Sequence, residues 1–171
     1  MQTLPRVRVA LEAFGTPSLL TDFARLLAFD GWIGNADRHQ ENWGVITAAD
    51  GSIRLAPMFD PASCLGAELQ EGNKHFSPAL NAQMMSKYMD QCGSGFGDGT
   101  AGISLRRVME ELKSWPEWQS RASSWVADFR AAMDTFHGFL ATVPSLWLPD
   151  HRKRFASELL EARLRWMQSL L

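Results

Sequence analysis

At 171 residues, with 46% hydrophobic and 21% charged side chains, the chain is long enough to bury a core and too apolar to stay disordered. A net charge of −2 gives no general electrostatic reason to hold DNA or RNA, and two cysteines in unrelated contexts, Cys64 and Cys92, argue against a disulfide framework or a structural zinc. Residues 1–15 lack a signal-peptide core and no window approaches the roughly 18 apolar residues of a membrane span, so one soluble, cytoplasmic domain over 1–171 is expected, with no membrane partner.

Residues 1–15 read as a short edge strand or an arm, because Val7 and Val9 alternate with Arg6 and Arg8. Thr16 is expected to cap a helix with Pro17 in its first turn, and Leu19, Leu20, Phe23, Leu26 and Leu27 give that helix one apolar stripe. Gly31 and Gly34 end it, and a polar loop runs from Asn35 to Glu41. Two short β-prone runs follow, 43–47 and 53–56, with Asp50-Gly51 in the connection, which is a hairpin signal. Pro57 closes the second strand, Asp60 follows, and the chain is irregular to Lys74.

The remainder reads as helices. One starts near Ser77-Pro78 and carries Leu80, Met84, Met85 and Tyr88; the glycine-rich stretch from Gly93 to Gly102 then forms a flexible connection. Ser104 caps a helix bearing Leu105, Val108, Met109 and Leu112. The next runs from Pro116 towards Val143 with Trp125, Phe129, Phe136 and Leu140 inward. Pro144 and Pro149 bracket a turn, and Asp150 caps a last helix whose Phe155, Leu159, Ala162, Trp166 and Leu170 step by three or four. The expected fold class is mainly α (α+β): a helical domain with one small β-hairpin.

That hairpin carries the functional argument. Pairing 43–47 with 53–57 puts residue 42 opposite residue 58 or 59, so Asn42 and Asp60 reach the same open end across eighteen residues of sequence. Asp37 lies on the loop that feeds this end. One amide and two carboxylates therefore converge. Mg²⁺ prefers hard oxygen ligands and keeps water and phosphate oxygens in its shell, so one carboxylate and one amide oxygen suffice to hold it. A further carboxylate, off the metal, can take the proton of an acceptor hydroxyl. The kinase catalytic loop spaces its Asp and Asn as Asp37 and Asn42 are spaced here. Taken singly, each residue has a plainer reading: Asp60 as a turn cap, Asn35 and Asn42 as loop residues, His39 as an ordinary loop histidine.

The segments FDGWIG, NADRHQEN, WGVI and LAPMFDPASCLG resemble the catalytic core of HipA-like kinases over residues 22–66, and NADRHQEN is similar, more distantly, to the DRHxxN loop of phosphoinositide lipid kinases. The resemblance implies a helical kinase-like C-terminal lobe whose hairpin carries the catalytic and metal-binding loops. By it, Asp37 matches the catalytic base, Asn42 and Asp60 match the magnesium ligands that hold ATP, and His39 matches a loop histidine with a positional or phosphate-facing role. Pro61 departs from the residue types the family places after its metal-binding aspartate. The implied activity is transfer of the ATP γ-phosphoryl group to a serine or threonine of a protein, with an antitoxin-like protein as a potential partner and a toxin–antitoxin role.

A kinase also needs a glycine-rich cover over the phosphates and a strand lysine. The lysines here, Lys74, Lys87, Lys113 and Lys153, all follow Asp37, so an N-terminal lobe is expected to come from a separate polypeptide or from sequence lost from this chain. Gly97 to Gly102 matches GxGxxG but lacks a preceding strand and a later acidic residue, where Ala122 stands. The basic run His151–Arg154 reads as a solvated helix face that could also meet an acidic or phosphate group, and Trp115, Trp118 and Trp125 read as core. Two other functions stay open: a non-catalytic kinase-like lobe acting as a binding or regulatory module, and a metal-dependent phosphate-ester hydrolase using the same three residues.

Overall fold

The computed structural model describes residues 2–77 and 80–171. Among these, six α-helices surround one two-stranded hairpin: α1 (Leu4–Glu12), α2 (Ser18–Ile33), β1 (Val45–Thr47), β2 (Ile53–Leu55), α3 (Ala82–Gln91), α4 (Leu105–Leu112), α5 (Pro116–Thr142) and α6 (Asp150–Gln168). The fold class is as the sequence predicts, mainly helical with a small antiparallel hairpin. Helix α2 is the axis. It packs against α1, α4, α5, α6 and β2, which requires apolar residues on nearly every side of it. Leu19, Leu20, Phe23, Ala24, Leu26, Leu27, Trp32 and Ile33 are all buried. A smaller cluster gathers Leu69, Phe76, Met85, Met89, Phe155 and Leu159 beneath the loop that follows the hairpin. Trp115, Trp118 and Trp125 are core, as expected. Among the described residues no helix is long and apolar enough to cross a membrane.

Several local expectations are corrected. Residues 4–12 form a helix rather than a strand or arm. Thr3 caps it by accepting from the Arg6 N–H, Pro5 suits its first turn, and Leu4, Val7 and Leu11 form its buried face. Thr16 does not cap α2 with its side chain, which donates instead to the Phe14 carbonyl. Gly31 lies inside α2, and Gly34 alone ends it, in the left-handed conformation at φ 71°. Helix α3 starts at Ala82 with Asn81 as its cap and buries Met85 and Met89; Pro78 lies outside the described residues. Asp150 is not a side-chain cap for α6, since its carboxylate is taken by Ser145 at 2.7 Å and Lys153 at 3.4 Å.

The basic run at the start of α6 is a docking comb, not a free face. Arg152 and His151 both hold Glu71, at 2.6 and 2.8 Å, Arg152 also reaches the Leu69 carbonyl, and Arg154 donates to the Phe76 carbonyl. These bonds fasten the loop after Asp60 onto α6. The hairpin has the predicted register, with Val45 opposite Leu55 and Thr47 opposite Ile53, and Ala56 donates to Gly44 at 2.8 Å. Continuing that register by three places sets residue 42 opposite residue 58.

Gly34 is required twice over. A left-handed alanine costs about 1–2 kcal/mol, and a Cβ here would lie 2.8 Å from Nε of the buried Arg163. Gly15 has a similar φ of 66°, but a Cβ there would meet nothing within 4 Å. Gly15→Ala is expected to lower the melting temperature by only a few degrees, and Gly34→Ala by clearly more, as thermal unfolding of the two variants will read.

Candidate functional site

The loop from Gly34 to Trp43 is built on a buried ion pair. Asp30, in the last turn of α2, is 0% exposed and Arg38 is 1% exposed. Arg38 donates from Nε at 2.8 Å and from Nη2 at 2.9 Å to the two carboxylate oxygens of Asp30, the forked geometry only a guanidinium supplies. Asn35, also fully buried, adds a bond to Asp30 Oδ1 at 2.9 Å, and its own Oδ1 accepts from the Asp37 N–H at 3.3 Å. Burial pushes the Asp30 carboxyl upward, and the bonds from Arg38 and Asn35 oppose it.

Arg38 then turns its remaining terminal nitrogen, Nη1, to two backbone carbonyls: that of Asn42 and, at 3.0 Å, that of Phe59. Phe59 is the residue before Asp60. One guanidinium therefore ties the hairpin's two ends together at the positions of both predicted cation ligands. This brings the backbone at Asn42 beside that at Phe59, and its agent is Arg38, which the sequence marks only as part of the DRH motif.

The side chains of Asp37 and His39 are half-exposed and Asp60 is exposed above this base, whereas Asn42 is part of it. Asn42 is buried and donates from Nδ2 to the Asp37 carbonyl at 2.8 Å, which leaves its Oδ1 as the end available to a cation. The Asp37 and His39 side chains are 49% and 40% exposed, with His39 Nε2 3.8 Å from Asp37 Oδ1. His39 Nδ1 accepts from the Glu41 N–H at 3.2 Å, so a neutral ring carries its proton on Nε2, towards Asp37. Asp60 is exposed and adopts φ 50°, the left-handed region that Asp tolerates better than most residues. The chain around it is held by the Ala36 N–H to the Ser63 carbonyl at 2.9 Å and the Leu65 N–H to the Ile33 carbonyl at 3.1 Å. Pro61 thus follows an unusual turn at Asp60.

A Mg²⁺ ion fits this donor set. Among the described residues no group of three or more His, Cys, Asp or Glu could hold a metal by itself, so an all-protein cage is not formed. An exposed carboxylate and an amide oxygen are instead the sparse, hard ligands suited to an ion that keeps phosphate and water oxygens.

The glycine-rich stretch is neither slack nor a phosphate cradle. Gly97 and Gly102 pair, Ser94 bonds Ile103, and Phe96 is buried. Asp98 Oδ1 itself accepts from the Thr100 and Ala101 N–H groups and the Thr100 hydroxyl, which holds its carboxyl down at about 2 and occupies the donors a phosphate would need. The stretch serves the site at Gly95, where a Cβ would lie 2.6 Å from both Arg38 C and His39 N. Asp30, Asn35 and Gly95 are the positioning residues that sequence reasoning missed; Asp30 in FDGWIG and Asn35 in NADRHQEN lay inside the quoted segments without a role, and Gly95 had no signal.

Gly95→Ala is expected to push the Arg38–His39 backbone and shift the amide resonances of the catalytic loop. Arg38→Met should destabilise the fold by about 3–5 kcal/mol by leaving Asp30 buried and unpaired. Adding Asp30→Asn to that variant should restore part of the loss, as denaturant unfolding of the single and double variants will measure.

No family model matches the chain, and no curated protein matches it. Among solved structures it is similar to the Helicobacter pylori proinflammatory kinase CtkA, with a TM-score of 0.62 and 19% identity, covering 98% of this chain and 62% of that one. At that identity the likeness is one of fold. The chain spans less than two thirds of that kinase, and its helices and hairpin share the fold of the part they cover.

Proposed function

We propose that this chain is the catalytic lobe of a HipA-like, serine/threonine-type kinase that transfers the γ-phosphoryl group of ATP to a protein hydroxyl, together with a second lobe that covers the nucleotide. The observation that carries this reading is the Arg38 guanidinium bonded at once to the carbonyls of Asn42 and Phe59. It holds Asn42 beside the residue before Asp60, while Asn42 Nδ2 bonds the Asp37 carbonyl, and this supports reading the three residues, in their order and spacing, as a phosphotransfer site.

In this reading Asn42 Oδ1 and the Asp60 carboxylate hold Mg²⁺, which, when bound, neutralises charge on the ATP phosphate oxygens. Asp37 orients the acceptor hydroxyl and takes its proton as the hydroxyl oxygen bonds to the γ-phosphorus and the bond from that phosphorus to the ADP oxygen breaks. Its half-exposed carboxylate suits contact with a macromolecular acceptor. His39, with Nε2 3.8 Å from Asp37 Oδ1, lies beside that carboxylate. The covering lobe supplies the strand lysine and the glycine-rich turn for the phosphates, from a separate polypeptide or from sequence joined to this one.

Calorimetry tests the reading directly. The chain is expected to bind ATP only with Mg²⁺, and Asp60→Asn, which keeps an αL-tolerant residue at that position, should weaken binding at least about tenfold, a loss the size of one strong charged contact. Asp37→Ala should leave nucleotide binding intact and lower transfer by about 10²–10⁴ once a covering lobe is supplied. A folded chain with no affinity for Mg·ATP would instead favour the binding or regulatory module, and phosphate release from a simple ester without ATP would favour the hydrolase.

A further inference from the structure

We propose that Gln2 is a positioning residue that sets the distance between Asp37 and Asn42; its functional consequence rests on the phosphotransfer reading above. Gln2 stands far along the sequence from anything the motif contains, yet it is 8% exposed and uses both ends of its amide on the catalytic loop. Its Nε2 donates to the carbonyl of Arg38, the residue after Asp37, and at 3.4 Å to the carbonyl of Gly95. Its Oε1 accepts from Trp43 Nε1 at 3.1 Å, and Trp43 is the residue after Asn42. One side chain therefore spans from the neighbour of the base to the neighbour of the cation ligand.

The chemistry needs glutamine. A glutamate keeps the acceptor for Trp43 but has no donor for Arg38, a methionine has neither, and an asparagine is one methylene short. Gln2 is also rigidly mounted. Its own carbonyl accepts from the Gly97 N–H at 3.0 Å, Thr3 beside it caps α1, and Leu4, Val7 and Leu11 sink that helix into the main core. Across the loop, Asn42 Nδ2 bonds the Asp37 carbonyl from inside at 2.8 Å. The span from Asp37 to Asn42 is thus held by both Asn42 and Gln2, and Gly95 packs against its backbone.

Gln2→Glu and Gln2→Met separate this role from plain stability. With the Trp43 indole resonance assigned by Trp43→Phe, Gln2→Glu is expected to keep that resonance in place, to shift the amide resonances of residues 37–42, and to raise the dissociation constant of Mg·ATP about three- to tenfold, the effect of one hydrogen bond. Gln2→Met should move the indole resonance as well and weaken Mg·ATP further. If both variants melt earlier but leave the 37–42 amides superimposable on the unaltered protein, Gln2 is merely structural and the proposal fails. Should the unaltered chain show no affinity for Mg·ATP, the phosphotransfer reading falls, and the amide comparison alone decides the role of Gln2.

Discussion

The Asp30–Arg38 pair is the constraint on which the site depends. Burying two charges is expensive, and an apolar pair of the same volume would often serve stability as well or better. The pair is therefore better understood by what it fixes. Asp30 belongs to the last turn of α2, the helix against which four others pack, so the guanidinium it grips is referenced to the central, buried helix of the molecule. Four guanidinium bonds are made: two to Asp30, one to Asn42 and one to Phe59. A lysine could replace the charge but not that fan of bonds. The order of the loop, the base of the hairpin and the approach to Asp60 all follow from one planar group.

This arrangement separates rigidity from reactivity. Asp30, Asn35 and Arg38 are essentially inaccessible, whereas Asp37 and His39 stand near half exposure and Asp60 is open. The outward groups make few bonds that the fold needs, so under the proposed phosphotransfer reading they would meet a nucleotide and an acceptor without first breaking internal contacts. Precision is supplied from the layer beneath, where the bonds among Asp30, Asn35 and Arg38 lie in a low-dielectric setting and small displacements are costly.

Much of this was legible in the sequence where the determinants are local. The β-prone runs 43–47 and 53–56 around Asp50-Gly51 imply a hairpin with the register found, and the stripe from Leu19 to Leu27 implies the buried helix. What stayed hidden depended on partners far along the chain. The His151–Arg154 run reads as solvated until Glu71, eighty residues earlier, is seen between its cations. Gly95 is one glycine among several until its α-carbon is found against the Arg38 backbone. Residues 4–12 are ambiguous for a different reason: Val7, Val9 and the arginines alternate as a strand would, while Leu4, Val7 and Leu11 recur as a helix does. The Thr-Leu-Pro start decides between them, because an N-cap followed by an early proline favours the helix at its nucleating end, where the cost is greatest.

The left-handed turn at Asp60 shows how the same layer sustains strain. A non-glycine residue at φ 50° costs about 1–2 kcal/mol, and proline at the next position narrows the choices further. Such a conformation persists only where its surroundings over-determine it. Here the Phe59 carbonyl is pinned by Arg38, while Ser63 and Leu65 are bonded to Ala36 and Ile33, so the chain is fixed on both sides of the turn. With its flanks fixed to the helix end and the catalytic loop, Asp60 cannot relax into an extended continuation of β2. The turn is thereby held off the line of the hairpin by the same guanidinium that holds Asn42. Strain at the one residue and burial of the ion pair are two consequences of a single geometric demand, that the ends of the hairpin meet beside Asp37.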